Sequence, residues 1–118
     1  MQTRRLGRNG PEISALGLGC MAMSGTYGPA VDAESIATVH AALDAGITML
    51  DTGDFYGMGH NEMLIREALS SDNRDHVQIS VKFGALRDVA RNWHGYDSRP
   101  AAVKNFLGYS LQRLGVEA

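Results

Sequence analysis

The sequence predicts an α/β fold: an opening β-hairpin, then strand–helix units arranged around a parallel sheet. Three observations lead there. Apolar runs of strand length alternate with longer stretches whose apolar residues recur every three to four positions. Glycines, 14 in 118 residues, gather at the junctions, as many short connections require. The predicted strands end at Gly19, Asp51 and Lys82, 32 and 31 residues apart. Strand–helix alternation implies right-handed βαβ units, and an even spacing near 30 residues per unit is that of an eight-unit barrel of roughly 250 residues or more.

Thr3–Leu6 and Glu12–Ala15 read as the arms of the hairpin, flanking Gly7-Arg8-Asn9-Gly10, whose Asn-Gly is the strongest short hairpin signal. Leu16–Gly19 is a short apolar strand, and a loop rich in Gly, Met and Ser runs from Cys20 to Val31. Asp32 is the expected N-cap of the first helix; Ile36, Val39 and Leu43 form its apolar stripe and Gly46 stops it. Ile47–Leu50 is a second buried strand ending on Asp51. After a loop from Asp54 to Gly59, a second helix spans about Asn61–Leu69, with Leu64, Ile65, Ala68 and Leu69 on one face. Val77–Val81 is a third strand ending on Lys82. A long loop, Phe83–Asp97, precedes a third helix that begins near Ser98 or Arg99 with Pro100 in its first turn. Its stripe is Val103, Phe106, Leu107, Leu111 and Leu114, and Gly115 ends it. Val116 and Glu117 look like the approach to a fourth strand. The expected architecture is the N-terminal part of a TIM (β/α)8 barrel, an opening β-hairpin plus three βα units, forming a single incomplete domain over residues 1–118. A three-stranded parallel sheet with helices on one side keeps two open edges and an uncovered face, so exposed apolar surface is expected unless something completes it.

Composition narrows the function. The chain is 44% hydrophobic and 20% charged, with a net charge of -2 and a pI of about 6.0. A nucleic-acid binder calls for a basic face, so none is expected, and no apolar run approaches the roughly 20 residues that span a bilayer. The basic N-terminus has no apolar stretch behind it and is not a signal peptide. Cys20 is the lone cysteine, which fits a reducing cytoplasm. His40, His60, His76 and His94 are scattered without zinc spacing, so no metal site is expected.

Side chains at the C-terminal ends of barrel strands form active sites. Asp51 and Lys82 hold such positions, on strands separated by about 4.8 Å if adjacent, and Tyr56 follows five residues after Asp51. A phenol ordinarily titrates near pH 10, too high for an efficient proton donor at neutral pH. A neighbouring ammonium favours the phenolate, and a carboxylate keeps that ammonium charged and oriented. Such a trio can protonate a carbonyl oxygen. No side chain can deliver hydride to the carbon, so a nicotinamide must be supplied.

The segment Asp51-Thr52-Gly53-Asp54-Phe55-Tyr56-Gly57 resembles the D-T-A-x-x-Y-G segment of the aldo-keto reductases, with Gly53 in place of the usual Ala. Gly59-His60-Asn61-Glu62 resembles the family's G-x-N-E stretch, and Ser80-Val81-Lys82-Phe83-Gly84 its strand ending in a catalytic lysine. The resemblance covers essentially all 118 residues, including the hairpin, which in that family plugs the bottom of the barrel. It implies NADPH-dependent reduction of aldehydes or ketones, with Tyr56 as proton donor, Lys82 tuning it and Asp51 supporting Lys82. It also implies that Gly19, Cys20, Met21 and Asp51 approach the nicotinamide half of NADPH. The family's fourth catalytic residue, usually His, and its 2'-phosphate grip lie beyond the segments present, so the chain alone is expected to bind NADPH poorly and turn over little.

Other readings compete. Gly17-Leu18-Gly19-Cys20-Met21-Ala22 fits a G-x-G-x-x-A dinucleotide fingerprint, but that motif needs a helix starting within it, and none is expected before Asp32. Cys20 reads as a buried filler and Asp54 as a solvated loop residue. Trp93, His94 and Tyr96 either line the substrate pocket or merely anchor their loop. Met21, Met23, Met58 and Met63 are pocket wall or core. A Schiff-base aldolase using Lys82 would need a depressed lysine pKa, against the pull of Asp51. A non-catalytic NADPH-sensing subunit is a third possibility. The oligomeric state, the individual carbonyl substrate and the choice of NADP over NAD are not legible.

Overall fold

The computed structural model describes residues 1–69 and 71–117. Ser70 and Ala118, the last residue of the predicted domain, lie outside the described residues. The hairpin forms as expected: β1 (Thr3–Arg5) and β2 (Glu12–Ser14) pair antiparallel with Thr3 opposite Ser14. It is fastened to the rest by a reciprocal pair of hydrogen bonds: Ser14 N–H donates to Thr48 Oγ1 at 2.9 Å and Thr48 N–H to Ser14 Oγ at 2.8 Å. Thr48 immediately precedes the central strand Met49–Gly53, so the hairpin sits at the N-terminal end of the sheet.

The central sheet is β3 (Leu18–Gly19), β4 (Met49–Gly53) and β5 (Gln78–Lys82), parallel and in that spatial order. β3 is two residues long, shorter than expected, because Leu16 and Gly17 lie outside the ladder. β4 runs two residues past Asp51, which therefore stands inside the strand and not at its end. Backbone pairing explains the extension: Thr52 and Gly53 face Val81 and Lys82, and Asp54 N–H donates to Lys82 O at 2.9 Å.

Helix α1 (Asp32–Asp44) buries Val39 completely, with Ile36 and Leu43 packed beside the core. Its N-cap is Val31, not Asp32; the Asp32 carboxylate instead accepts from His60 Nε2 at 2.9 Å. Gly46, at φ 87°, supplies the left-handed residue past the helix end. Helix α2 (His60–Ala68) buries Leu64, Ile65 and Ala68 as its periodicity demands, but also Asn61 and Glu62. His40 Nε2 donates to Ala68 O at 2.8 Å, satisfying a C-terminal carbonyl of α2 that has no partner within the helix. A short helix absent from the sequence reading, α3 (Ser71–Arg74), leads into β5.

The stretch Phe83–Asp97 is not the featureless loop expected. It contains an antiparallel hairpin, β6 (Ala85–Arg87) and β7 (Trp93–Tyr96). Asp88 closes the turn by accepting from the Asn92 backbone at 2.9 Å, from Asn92 Nδ2 at 3.0 Å and from His94 Nε2 at 2.9 Å. Helix α4 (Pro100–Leu114) follows, with Pro100 at its start and Gly115, φ 70°, after its end. Of its predicted stripe, Leu114 is buried while Leu107 is 55% exposed. Val103, Leu107, Leu111 and Leu114 of that stripe line a groove of about 810 Å³ against β5, walled by Val77, Ile79, Val81 and Phe83, while Phe106 lines a second cavity with Asp54, Phe55 and Arg113. That groove is the uncovered apolar surface the partial barrel implies. Val116 packs against the core but starts no strand.

The core joins Leu50 of β4, Cys20 and Val77 at strand ends, Val39 and Ile65 of the first two helices and Leu114 of α4. Leu50 is fully buried, so Leu50→Ala is expected to cost about 2–5 kcal/mol in urea denaturation. Leu107→Ala, at the lip of the groove, is expected to change the midpoint little. Equal losses from both would contradict this division between core and groove.

Candidate active site

The β4–β5 register brings the predicted trio together. Lys82 lies opposite Gly53 and Asp51 opposite Ser80; two residues along a strand restore the same face, so Lys82 reaches back over the ladder to Asp51. Lys82 Nζ donates to Asp51 Oδ2, both side chains remaining 47% and 41% exposed respectively. The same Nζ stands 5.7 Å from the centre of the Tyr56 ring. The Lys82 pKa is raised, first by the hydrogen bond to Asp51 and further by the Tyr56 hydroxyl and the Asp51 charge, with some desolvation opposing. The ammonium is therefore firmly protonated.

Tyr56 opens a tight turn, Tyr56–Gly59, in which Gly57, Met58 and Gly59 all have positive φ, at 59°, 54° and 99°. Met58 carries a Cβ in the left-handed region, a strain of about 1–2 kcal/mol. The glycines serve close contacts. A Cβ on Gly57 would come within 2.9 Å of His60 Cβ and 3.1 Å of Ser24 Cβ, and one on Gly59 within 2.7 Å of Arg113 Nε. Gly53, which stands where the aldo-keto reductase pattern has Ala, has a local reason too: its added Cβ would sit 3.0 Å from Tyr56 Cε1. The ring therefore lies closer to β4 than an alanine there would allow.

Two polar groups fix the loops around the trio. Asn61 is fully buried; its Nδ2 donates to Cys20 O and Ser24 Oγ, both at 2.8 Å, and its Oδ1 accepts from Thr52 Oγ1 at 2.6 Å. One amide thus ties the loop after β3 to β4. Ser24 Oγ also lies 2.9 Å from His60 Nδ1, extending the chain to Asp32. The Ser24–His60–Asp32 line is no nucleophile arrangement, because Ser24 is buried and already accepts from Asn61.

The second group is Asp54, Glu62 and Arg113. Asp54 is 8% exposed, so it is not the solvated loop residue the sequence suggested. Its carboxyl is pushed from the ordinary 3.8 up to about 6, first by burial, then by the Glu62 carboxylate, with Arg113 and the Phe55 N–H pulling the other way. Glu62 is fully buried and accepts from Arg113 Nη1 at 2.9 Å, while its Oε1 has no partner among the described residues. Sequence reading placed Asn61 and Glu62 only in the G-x-N-E resemblance, without a role, and missed Arg113, whose partner lies 51 residues away.

Of the residues expected near a cofactor, Gly19 pairs with Asp51 and has open space where its side chain would be. Met21 is half-buried in a single 3-10 turn, Met21–Ser24, so a short helical turn does occur before Asp32. It is four residues long and holds Met23 in the core. Cys20 is turned inward: fully buried, its N–H donating to Asp51 O and its carbonyl accepting from Asn61. Burial first, and the Asp51 charge second, push its thiol up to about 11. Beyond the trio, Arg87 lies 5.9 Å over the Phe55 ring and 5.5 Å over Trp93, and Trp93 meets Tyr96 edge to face, so the β6–β7 hairpin packs against the Tyr56 loop. Met58 and Met63 are 44% and 50% exposed. Among the described residues no three His, Cys, Asp or Glu side chains converge as a metal site, and no helix is long and apolar enough to cross a membrane.

The family model of the aldo/keto reductases matches residues 15–118. The chain belongs to the aldo/keto reductase family. Its backbone superimposes on an aldo-keto reductase from Bacillus halodurans, described as a holo form, with TM-score 0.84 at 30% identity, over 98% of this chain and 37% of that one. A glycerol dehydrogenase from Gluconobacter oxydans gives TM-score 0.78 at 32% identity, over 98% and 36%. A putative aldo-keto reductase from Pseudomonas aeruginosa gives 0.81 at 31%, over 97% and 42%. The chain thus spans about two fifths of the length of these aldo/keto reductase structures, and the three-stranded sheet is the N-terminal portion of their barrel.

The folded form holds the Asp54 proton more tightly than the unfolded chain does. Its ionisation is therefore a penalty that grows as pH rises from about 4 to about 6 and is complete above that. Asp54→Asn is expected to gain about 1–3 kcal/mol relative to wild type between pH 4 and pH 7. Urea midpoints of both proteins across that range check it; a difference that stays flat with pH would contradict it.

Proposed function

We propose that the complete protein containing this chain reduces aldehydes or ketones to alcohols with NADPH, Tyr56 giving the proton to the carbonyl oxygen. The observation that carries this reading is the Lys82 ammonium, bonded to Asp51 and facing the Tyr56 ring. As the phenol gives up its proton, negative charge grows on its oxygen, and a fixed ammonium beside it stabilises that charge. Asp51 holds Lys82 in place and keeps it protonated. The relatives described as a glycerol dehydrogenase and as a holo aldo-keto reductase support an oxidoreductase. On this reading residues 1–118 are one incomplete barrel domain that later strands complete, working in the cytoplasm on a small carbonyl substrate, without a nucleic-acid or membrane partner.

The residues present fit a nicotinamide cofactor. Gly19 leaves open space beside Asp51, and the half-exposed Asp51 carboxylate has acceptor capacity for a ribose hydroxyl. Gly19, Met21 and Asp51 would hold that half of NADPH, with Cys20 acting by keeping its neighbours in position. When bound, the reduced nicotinamide supplies the hydride. The raised Lys82 pKa disfavours the aldolase alternative, whose nucleophile must be neutral.

Carbonyl-dependent NADPH oxidation by the complete protein tests the proposal. Tyr56→Phe is expected to lower kcat by roughly 100-fold or more while NADPH still binds; wild-type rates in that variant would remove Tyr56 from the chemistry. NADPH binding without turnover on any carbonyl would favour the sensing subunit, and borohydride trapping of substrate on Lys82 would favour the aldolase.

A further inference from the structure

The Tyr56 turn is an unusual thing to hold still. Three consecutive residues, Gly57, Met58 and Gly59, have positive φ, and the turn's own hydrogen bonds are short-range, from Met58 N–H to Phe55 O and from His60 N–H to the Tyr56 and Gly57 carbonyls. On one side it leans on Ser24 and His60 through Gly57. On the other side the contact comes from a residue 57 positions further along, Arg113, near the end of α4.

Arg113 reaches the turn in three ways. Its Nε, Cδ and Cζ occupy the place where a Gly59 side chain would be, within 2.7 to 3.0 Å of an added Cβ. Its Nη1 donates to Glu62, which is fully buried on the first turn of the helix that continues from Gly59. Its charge acts on the buried Asp54, two residues before Tyr56. Tyr56 is therefore flanked on both sides by groups that answer to one guanidinium. The guanidinium is itself held, lying 5.6 Å over the ring of Tyr109 one helical turn back.

We propose that Arg113 is a positioning residue for Tyr56, clamping the Asp54–Gly59 turn between α2 and α4 by pairing with Glu62 and packing on Gly59. The proposal deepens the reductase reading and rests on Tyr56 being its proton donor. Arg113 touches neither Asp51 nor Lys82 among the contacts described, so it acts on the reaction through the turn alone. Removing it frees Tyr56 to wander by a fraction of its ring width without altering the Lys82–Asp51 pair, and misplacement on the ångström scale is enough to slow a proton transfer severely.

The test uses the complete protein with Arg113→Met, Arg113→Lys and Glu62→Gln, reading kcat, KM, NADPH affinity and amide hydrogen exchange. Arg113→Met is expected to lower kcat roughly 10- to 100-fold, with NADPH affinity nearly unchanged, and to speed exchange about tenfold across Tyr56–Gly59 but not across β4. Arg113→Lys should recover part of both effects. Glu62→Gln, which keeps the shape and removes the charge, should show the same localised exchange if Arg113→Met does not fold. Exchange that rises evenly through β4, α2 and the turn, or a folded variant with unchanged exchange and kcat, would overturn the proposal. If the wild type reduces no carbonyl at all, the reductase reading fails on its own, and localised exchange still decides whether Arg113 clamps the turn.

Discussion

The parallel ladder between β4 and β5 sets Lys82 opposite Gly53 and lets its side chain fall back onto Asp51. The pleat makes this pairing unforgiving. A slip of β5 by one residue would turn Lys82 to the helix face and leave Asp51 without its partner. Register is held at the other end of the strand by the Ser14–Thr48 exchange of hydrogen bonds and by Gln78 N–H donating to Thr48 O at 2.8 Å. Hairpin and ladder therefore meet on Thr48, so the hairpin helps hold the register from the far end of the sheet.

Above the ladder, polar burial does the organising. Asn61, Thr52 and Glu62 are each fully buried, and buried polar groups that are well partnered specify one arrangement over its alternatives. Asn61 uses both amide ends. Among the described residues Glu62 uses only one of its oxygens, and its neighbour Asp54 keeps its proton to a higher pH than a free aspartate. The first group is a settled network, while the second stores electrostatic tension in the turn that carries Tyr56.

Much of this was legible in the sequence, for reasons that differ by residue. The three strands and three main helices were visible because apolar periodicity and glycine stops are local. That Asp51 and Lys82 meet was legible because adjacent parallel strands share one rim, although Asp51 lies two residues inside β4, and Tyr56 was legible from its place five residues further along the same loop. The β6–β7 hairpin was not, since its stretch has no sustained alternation and its turn depends on Asp88 gathering Asn92 and His94. Asp32 looked like an N-cap, but its carboxylate serves a histidine on another helix. Asp54 looked exposed because charge usually means solvent; its burial depends on Glu62 and on Arg113, 59 residues away. Pairings across such separations leave no trace in a local pattern.

Cys20 gives the site a built-in clock. Its thiol is fully buried, its backbone is bonded on both sides to Asp51 and Asn61, and burial pushes its pKa up to about 11, so the reactive thiolate is scarce at neutral pH. An alkylating reagent can reach it only when the loop after β3 lifts from Asn61. The rate at which Cys20 consumes such a reagent thus measures how often that loop opens, and a ligand bound tightly over the loop would slow the reaction without touching the sulfur.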